Sequence, residues 1–81
     1  MKIYLIQEHG YYGKTRAFKT IENLRKNYEE KLNKSNLSKF YTIKCETIGE
    51  NQIKVMAIYN NGKMEEKYNL NPYIEVVELE E

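Results

Sequence analysis

One stretch of helical periodicity stands between two segments that are typical of strands and turns, and this change of period limits the fold more than any other feature. From Thr20 onward, apolar residues recur at steps of three and four: Ile21, Leu24, Tyr28 and Leu32. Thr20 is placed to cap the N-terminus of a helix, and polar residues between 33 and 38 are placed to end it. The sequence therefore predicts an α+β fold, in which this single helix packs on one face of a β-sheet.

The segment before the helix predicts two strands. Residues 2–8 are rich in β-branched and aromatic side chains, and Gly10 and Gly13 follow them as turn formers. The short run 14–18 is expected to return as a second strand. A length of 81 residues allows one modest core, so we assign residues 1–81 to a single domain.

The segment after the helix predicts a β-meander whose register follows from its turns. Asn61-Gly62 predicts a type I′ turn, in which both central residues need a positive φ. Such a two-residue turn sets Val55 opposite Tyr68, so that the apolar residues of the two strands share one face. The sequence therefore predicts that this face packs under the helix.

The same register gives Glu66 an unusual position. It places Glu66 opposite Ala57 on the apolar face, where an unpaired buried carboxylate would be costly. Glu66 is therefore expected at the rim, paired with a cation, or at a functional site. We favour the inward charge of an edge strand, which discourages edge-to-edge pairing. No second group is placed near it to support acid–base catalysis.

The preceding hairpin is predicted to turn through a three-residue loop at 49–51, with Asn51 in the left-handed conformation. This loop sets Tyr41 opposite Tyr59 and Cys45 opposite Val55. A two-residue loop would bring charged residues onto the apolar face, so the longer loop is favoured.

A last strand is predicted over 73–79, directly after Pro72. The complete order is β-β-α-β-β-β-β in a mainly antiparallel sheet with the helix packed on one face. The predicted core of the sheet consists of Tyr41, Ile43, Cys45, Ile53, Val55, Ala57, Tyr59, Tyr68 and Leu70. Phe40, Met56 and Ile58 add apolar area to the opposite face, where a second copy of the chain or a client protein would bind if they lie together.

The composition excludes several classes of chemistry. All twelve acidic residues are Glu, and the chain has one His, one Cys and no Trp, which rules out Asp-based calcium loops and Cys/His zinc clusters. Cys45 has no intrachain partner for a disulfide and belongs in the core, while His9 has no identifiable nucleophile beside it. We therefore expect no enzyme activity, no catalytic residues, no metal and no cofactor.

The charge and the N-terminal segment bear on partners and compartment. Thirteen Lys and Arg against twelve Glu give a net charge of +1, so any attraction to nucleic acid must come from a local patch. The apolar run at the N-terminus is too short for a signal peptide or a membrane span. With a single unpaired Cys, this predicts a cytoplasmic protein without a membrane partner.

The loop between the first two strands carries the candidate partner-binding residues. Tyr11 and Tyr12 lie beside Lys14, Arg16 and Lys19, a combination of stackable rings and positive charge. Such a loop is a solvated hairpin tip, a protein-binding loop, or a loop that binds single-stranded nucleic acid. We favour a protein contact over nucleic acid among the two functional alternatives.

Four segments resemble small uncharacterised proteins of phages and prophages. They are the opening Met-Lys-Ile-Tyr-Leu-Ile at 1–6, the Tyr-Tyr-Gly loop at 11–13, the helix start at 18–22 and the Tyr-Ile-Glu-rich end at 73–79. The resemblance implies a viral or mobile-element setting, in which compact proteins often bind and block a host protein. Anti-CRISPR and other anti-defence proteins are similar in size and in lacking active-site motifs. The prediction is thus a non-enzymatic protein-binding module in the host cytoplasm, with single-stranded nucleic-acid binding through the 11–19 loop as the alternative.

Overall fold

The computed structural model describes residues 1–7, 15–36 and 39–80 of the chain. Its elements are β1 (Lys2–Gln7), β2 (Thr15–Phe18), α1 (Ile21–Ser35), β3 (Tyr41–Ile48), β4 (Gln52–Tyr59), β5 (Met64–Glu66), a 3₁₀ turn (Tyr68–Leu70) and β6 (Tyr73–Glu78). The predicted α+β class and the order of strands and helix are confirmed, with a short fifth strand followed by the 3₁₀ turn.

The strands form two antiparallel three-stranded sheets, where one sheet was expected. The terminal sheet has the order β2-β1-β6, and the hairpin sheet has the order β3-β4-β5. The division arises because the 3₁₀ turn and Pro72 lead the chain away from β5, and β6 then pairs with β1. In place of a longer β5, the Asn71 side chain accepts a hydrogen bond from the Val55 N–H at 2.9 Å.

The helix begins and packs as the sequence predicts. The Thr20 hydroxyl accepts a hydrogen bond from the Asn23 N–H at 3.1 Å, which satisfies one of the unpaired donors of the first turn. Leu24 and Tyr28 are buried, and the Tyr28 hydroxyl donates to the Leu70 carbonyl at 2.5 Å. The helix thereby connects the core with the segment between the two sheets.

The core joins both sheets beneath this helix. Its buried residues are Ile6, Leu24, Tyr28, Ile43, Cys45, Ile53, Val55, Ala57 and Ile74. Ile6 and Ile74 come from the terminal sheet and were absent from the predicted core. Tyr68 was predicted inside, but its side chain is 76% exposed, so that assignment is wrong.

The β3–β4 hairpin confirms the predicted register. Tyr41 lies opposite Tyr59, and the pairing continues to Ile48 opposite Gln52, which leaves a three-residue loop. The left-handed residue of that loop is Gly49, with φ +71°, and not Asn51. Glycine reaches this conformation without a steric penalty, whereas a residue with a Cβ does not.

The β4–β5 hairpin differs from the predicted register by one residue. Ile58 lies opposite Met64, and the turn is closed by hydrogen bonds from Gly62 N–H to the Tyr59 carbonyl at 2.9 Å and from Tyr59 N–H to the Lys63 carbonyl at 2.8 Å. Among the described residues, positive φ is confined to glycine, and Gly62 has φ +88°. The loop therefore spans 60–62, because a three-residue turn needs only one left-handed residue and a type I′ turn needs two.

This shift changes the surroundings of Glu66. Glu66 lies opposite Met56 on the face away from the helix, and its carboxylate is 3.8 Å from the Lys54 ammonium. The predicted inward position opposite Ala57 is wrong, as is the pairing of Val55 with Tyr68. Since the side-chain period of a strand is two, a slip of one residue moves every side chain to the other face.

Candidate partner-binding surface

Three of the five predicted binding residues fall outside the part of the chain that the structure describes. Tyr11, Tyr12 and Lys14 lie within residues 8–14, as does His9. Their roles therefore stay predictions from the sequence.

The other two predicted residues lie on and after β2. Arg16 is half-buried, and its guanidinium carbon is 5.3 Å from the centroid of the Phe18 ring. Lys19 is exposed between β2 and the helix. The aromatic contact holds the Arg16 side chain against its own strand.

A narrow crevice separates the terminal sheet from the helix. Its lining includes Arg16 and Phe18 from β2 and Asn27, Tyr28 and Lys31 from α1. The crevice is too narrow for a water molecule, but it brings two cationic side chains from different elements together.

Large apolar and aromatic side chains occupy much of the described surface. Phe40 and Tyr73 are 74% and 71% exposed, comparable with Tyr68. Met64 is also exposed and shares the outer face of the hairpin sheet with Ile58, its direct neighbour across the strands. Exposed aromatic rings of this kind are enriched in protein interfaces.

Tyr68 is exposed and is influenced by the neighbouring Glu66 carboxylate. Hydrogen bonding to Glu66 and the negative charge of Glu66 raise the pKa of the Tyr68 hydroxyl. Glu66 in turn faces Lys54. Glu66, at the end of β5, therefore influences the Tyr68 hydroxyl and pairs with the Lys54 ammonium.

A second polar cluster lies on the helix-facing side of the hairpin sheet. The Tyr59 hydroxyl donates to Glu65 at 2.8 Å, and the Lys67 ammonium lies 3.6 Å from Glu65 and 5.5 Å from the centroid of the Tyr41 ring. The pKa of Glu65 is lowered, first by the Tyr59 hydroxyl and then by the charge of Lys67. These contacts stabilise the carboxylate form and organise the end of the sheet.

The outer edge of β3 is covered by side chains of the helix. Asn33 accepts from the Ile43 N–H at 2.9 Å and donates to the Ile43 carbonyl at 3.0 Å, so one amide side chain satisfies both groups. Asn36 donates to the Tyr41 carbonyl at 3.1 Å. The two amides thus reproduce bonds that a neighbouring strand would make.

The cover continues one turn earlier on the helix. Arg25 donates to the Cys45 carbonyl at 3.2 Å, and the Cys45 N–H approaches Glu29 at 3.4 Å. Arg25 also donates to Glu29 at 2.5 Å and to Glu22 at 2.6 Å. Its pKa is raised, chiefly by the hydrogen bond to Glu22, so the guanidinium keeps its charge beside the strand.

Cys45 behaves as the sequence predicts. It is buried at the centre of the core, and burial raises the pKa of its thiol to about 12. At neutral pH the thiol therefore stays protonated, and the reactive thiolate does not form.

The outer edge of β6 differs from that of β3. The terminal sheet ends at β6, and no described side chain or strand forms a hydrogen bond to the backbone of Val76. Sequence reasoning missed both this edge and the cover on β3. A weak signal for the cover exists, since Asn33 is a poor helix former placed next to the apolar stripe.

Within residues 1–7, 15–36 and 39–80, no cluster of three or more His, Cys or Glu side chains could hold a metal ion. No helix in these ranges has the length and hydropathy needed to cross a bilayer.

Comparison with known protein families, with curated proteins and with solved structures finds no match for this chain.

Proposed function

We propose that this chain is a non-enzymatic protein-binding module that binds and blocks a host protein, in the viral or mobile-element setting that its resemblance implies. The observation that carries the proposal is the exposure of Phe40, Tyr68 and Tyr73, each more than 70% open to solvent. Burying such rings against a partner is a main source of affinity in protein interfaces.

The backbone around each ring supports the proposal. The Phe40 carbonyl accepts a hydrogen bond from Asn60 at 3.0 Å, Tyr68 begins the 3₁₀ turn, and Tyr73 begins β6. A ring on an ordered backbone loses little conformational entropy when it binds. The predicted loop residues Tyr11, Tyr12, Lys14, Arg16 and Lys19 belong to the same proposal on the strength of the sequence.

The test is capture of a host protein with quantitation by mass spectrometry. The double variants Tyr11→Ala/Tyr12→Ala and Tyr68→Ser/Tyr73→Ser are compared with the original chain, and Glu30→Gln on the exposed side of the helix is the control. We expect saturable capture of a specific protein that at least one double variant weakens by roughly tenfold or more, while every variant keeps its melting temperature. No saturable capture, or capture by both double variants as strong as by the original chain, would contradict the proposal.

One observation favours the alternative, single-stranded nucleic-acid binding. Arg16 and Lys31 line the same crevice, so two cations from different elements face one region of the surface. Nucleic-acid affinity of this origin falls steeply as salt rises. Filter binding of a labelled oligothymidine decides the matter, since no affinity at low salt removes this alternative.

A further inference from the structure

We propose that the outer edge of β6 binds an extended basic peptide segment as an added antiparallel strand. This inference rests on the proposed protein-binding function and specifies the class of partner. It concerns the stretch from Glu75 to Leu79, which we call the open edge.

The hydrogen-bond pattern of the terminal sheet shows which backbone groups face outward. Met1 and Leu79 exchange hydrogen bonds, with the Leu79 N–H to the Met1 carbonyl at 2.7 Å and the Met1 ammonium to the Leu79 carbonyl at 3.3 Å. Bonded and non-bonded pairs alternate in an antiparallel ladder, so Ile3 and Val77 form the next bonded pair. The N–H and C=O groups of Val76 therefore point away from β1, as do those of Glu78.

These outward groups lack a partner within the described part of the chain, and their side of the strand is accessible. Ile74 is 4% exposed, whereas Val76 is half-buried and Glu75, Glu78 and Leu79 are exposed. The open edge thus offers five residues, the length of an ordinary short strand. A row of unpaired backbone groups of this kind is a template for another strand.

The other strand edges of the described sheets are less suited to this role. The β3 edge is occupied by Asn33, Asn36 and Arg25, while β5 has three residues and β2 has four. β5 is also flanked by Lys63 and Lys67, and charge next to a short edge discourages pairing.

The negative charge of β6 and the residues after it favours a basic segment as the added strand. Residues 73–80 contain Glu75, Glu78 and Glu80 and have no Lys or Arg. Lys2, the basic residue across from Glu78 on β1, forms a salt bridge with Glu50, and Glu78 lies 4.0 Å from the N-terminal ammonium with its side chain still 70% exposed. A second copy would bring a second acidic strand to this edge, whereas a basic segment would offset its charge.

The spacing of the two glutamates defines the segment more closely. Glu75 and Glu78 are three residues apart and therefore lie on opposite faces of β6, with Val76 and Val77 between them. An antiparallel strand that carries Lys-Val-Val-Lys would place one lysine opposite each glutamate and the two valines opposite Val76 and Val77. The preferred segment thus has two basic residues separated by two β-branched ones.

The test uses the peptide acetyl-Thr-Lys-Val-Val-Lys-Thr-amide, titrated into the ¹⁵N-labelled chain and followed by NMR. We expect the largest chemical-shift changes at the amides of the open edge, with slowed hydrogen exchange at Val76. N-methylation of the second peptide valine, whose amide would face Val76, is expected to weaken binding at least tenfold. N-methylation of the first valine is the matched control, because its amide faces away and binding should persist.

Two variants of the chain complete the test. Val76→Pro removes the outward donor and is expected to abolish peptide binding, and a proline is tolerated where the N–H faces outward. Glu75→Gln with Glu78→Gln should weaken binding severalfold and reduce its dependence on salt.

Absence of peptide binding, equal binding of both methylated peptides, or a dimer that Val76→Pro disrupts in analytical ultracentrifugation would overturn the inference. Failure here is distinguishable from failure of the proposed function. If the peptide does not bind but the host protein is still captured, the inference about the open edge is wrong and the proposed protein-binding function stands. If neither the peptide nor a host protein binds, both proposals are wrong.

Discussion

β3 and β6 each lie at the edge of a sheet and direct backbone N–H and C=O groups away from it, but the two edges have different surroundings. Along β3, the outward groups of Tyr41, Ile43 and Cys45 contact side chains of the helix, and Asn33 alone satisfies both groups of Ile43. Along β6, the outward groups of Val76 have no such partner among the described residues. The helix thus protects the β3 edge with its side chains, whereas no part of the described chain covers the β6 edge.

The difference shows that covering a sheet edge does not require another strand. An amide side chain has one donor group and one acceptor, the same pair that a peptide unit offers. A helix that lies beside a strand can therefore close its edge with Asn, Arg and Glu, provided that the side chains fall at the right spacing. The spacing here is four residues, from Arg25 to Glu29 and on to Asn33.

Among substitutions of the helix side chains that cover the β3 edge, Asn33→Leu should have the largest effect on stability. It removes both hydrogen bonds to Ile43, a residue that is 2% exposed, and leaves a buried donor and acceptor without a partner. We expect the free energy of unfolding to fall by about 2 to 3 kcal/mol, because unsatisfied buried polar groups are costly. Urea denaturation measures the change.

Asn33→Asp is the matched control for that variant. It keeps the acceptor for the Ile43 N–H and loses the donor, so it should cost less than Asn33→Leu. If Asn33→Leu is as stable as the original chain, the side-chain cover does not stabilise the edge.

Arg25→Met tests the charged part of the cover and has a smaller expected effect. The Cys45 carbonyl loses its donor, which should lower the free energy of unfolding by about 1 kcal/mol at neutral pH. Methionine keeps most of the apolar stem, so the change reports mainly on the guanidinium.

The same variant makes a prediction about pH. Arg25 lowers the pKa of Glu22 from the usual 4.5, chiefly through a hydrogen bond. A carboxylate with a lowered folded-state pKa stabilises the fold above its unfolded pKa and loses this effect as the pH falls through the folded value. The stability gap between the original chain and Arg25→Met should therefore narrow below about pH 4.5 in urea denaturation. A gap that widens on acidification would contradict the role of Glu22.

Val76→Pro tests the outer edge of β6 and should have the smallest effect on stability. The N–H that it removes faces away from β1, so we expect a loss of less than about 1 kcal/mol. Val77→Pro is the neighbouring control, because the Val77 N–H belongs to the ladder with Ile3 and its loss should cost about 3 kcal/mol or more. Hydrogen exchange should show the same contrast, with fast exchange at Val76 and slow exchange at Ile43. Equal costs for the two proline variants would mean that the outward N–H is engaged.

Local signals predicted much of the fold. The Thr20 cap, the helical stripe and the β3–β4 register depend on residues close in sequence, and all three are confirmed. The β4–β5 register failed although its signal is also local. Asn61-Gly62 is compatible with two turn types that differ by one residue in loop length, and the Asn61 side chain stabilises the longer loop by accepting from the Lys63 N–H at 3.0 Å.

The candidate site was less predictable than the fold. Arg16 and Lys19 were identified from their charge, but the contact of Arg16 with Phe18 depends on strand geometry. The exposure of Tyr68 was missed because the predicted register was wrong. That register paired Tyr68 with Val55, which would have buried the Tyr68 side chain. The open edge of β6 could not be inferred, because it requires knowing that β1 is the one neighbour of β6 among the described strands.

The sequence by itself determined where the helix begins, which of its sides is apolar, how β3 pairs with β4, and that Cys45 belongs in the core. These properties follow from periodicity, capping and turn length, which act over a few residues. The tertiary structure decided that the strands divide into two sheets, that Glu66 faces Lys54, and that the helix covers the β3 edge. It also decided that the outer edge of β6 has no neighbouring strand within residues 1–7, 15–36 and 39–80. Each of these depends on which distant segments meet, and that choice is made by the burial of the whole core and not by any single stretch of the chain.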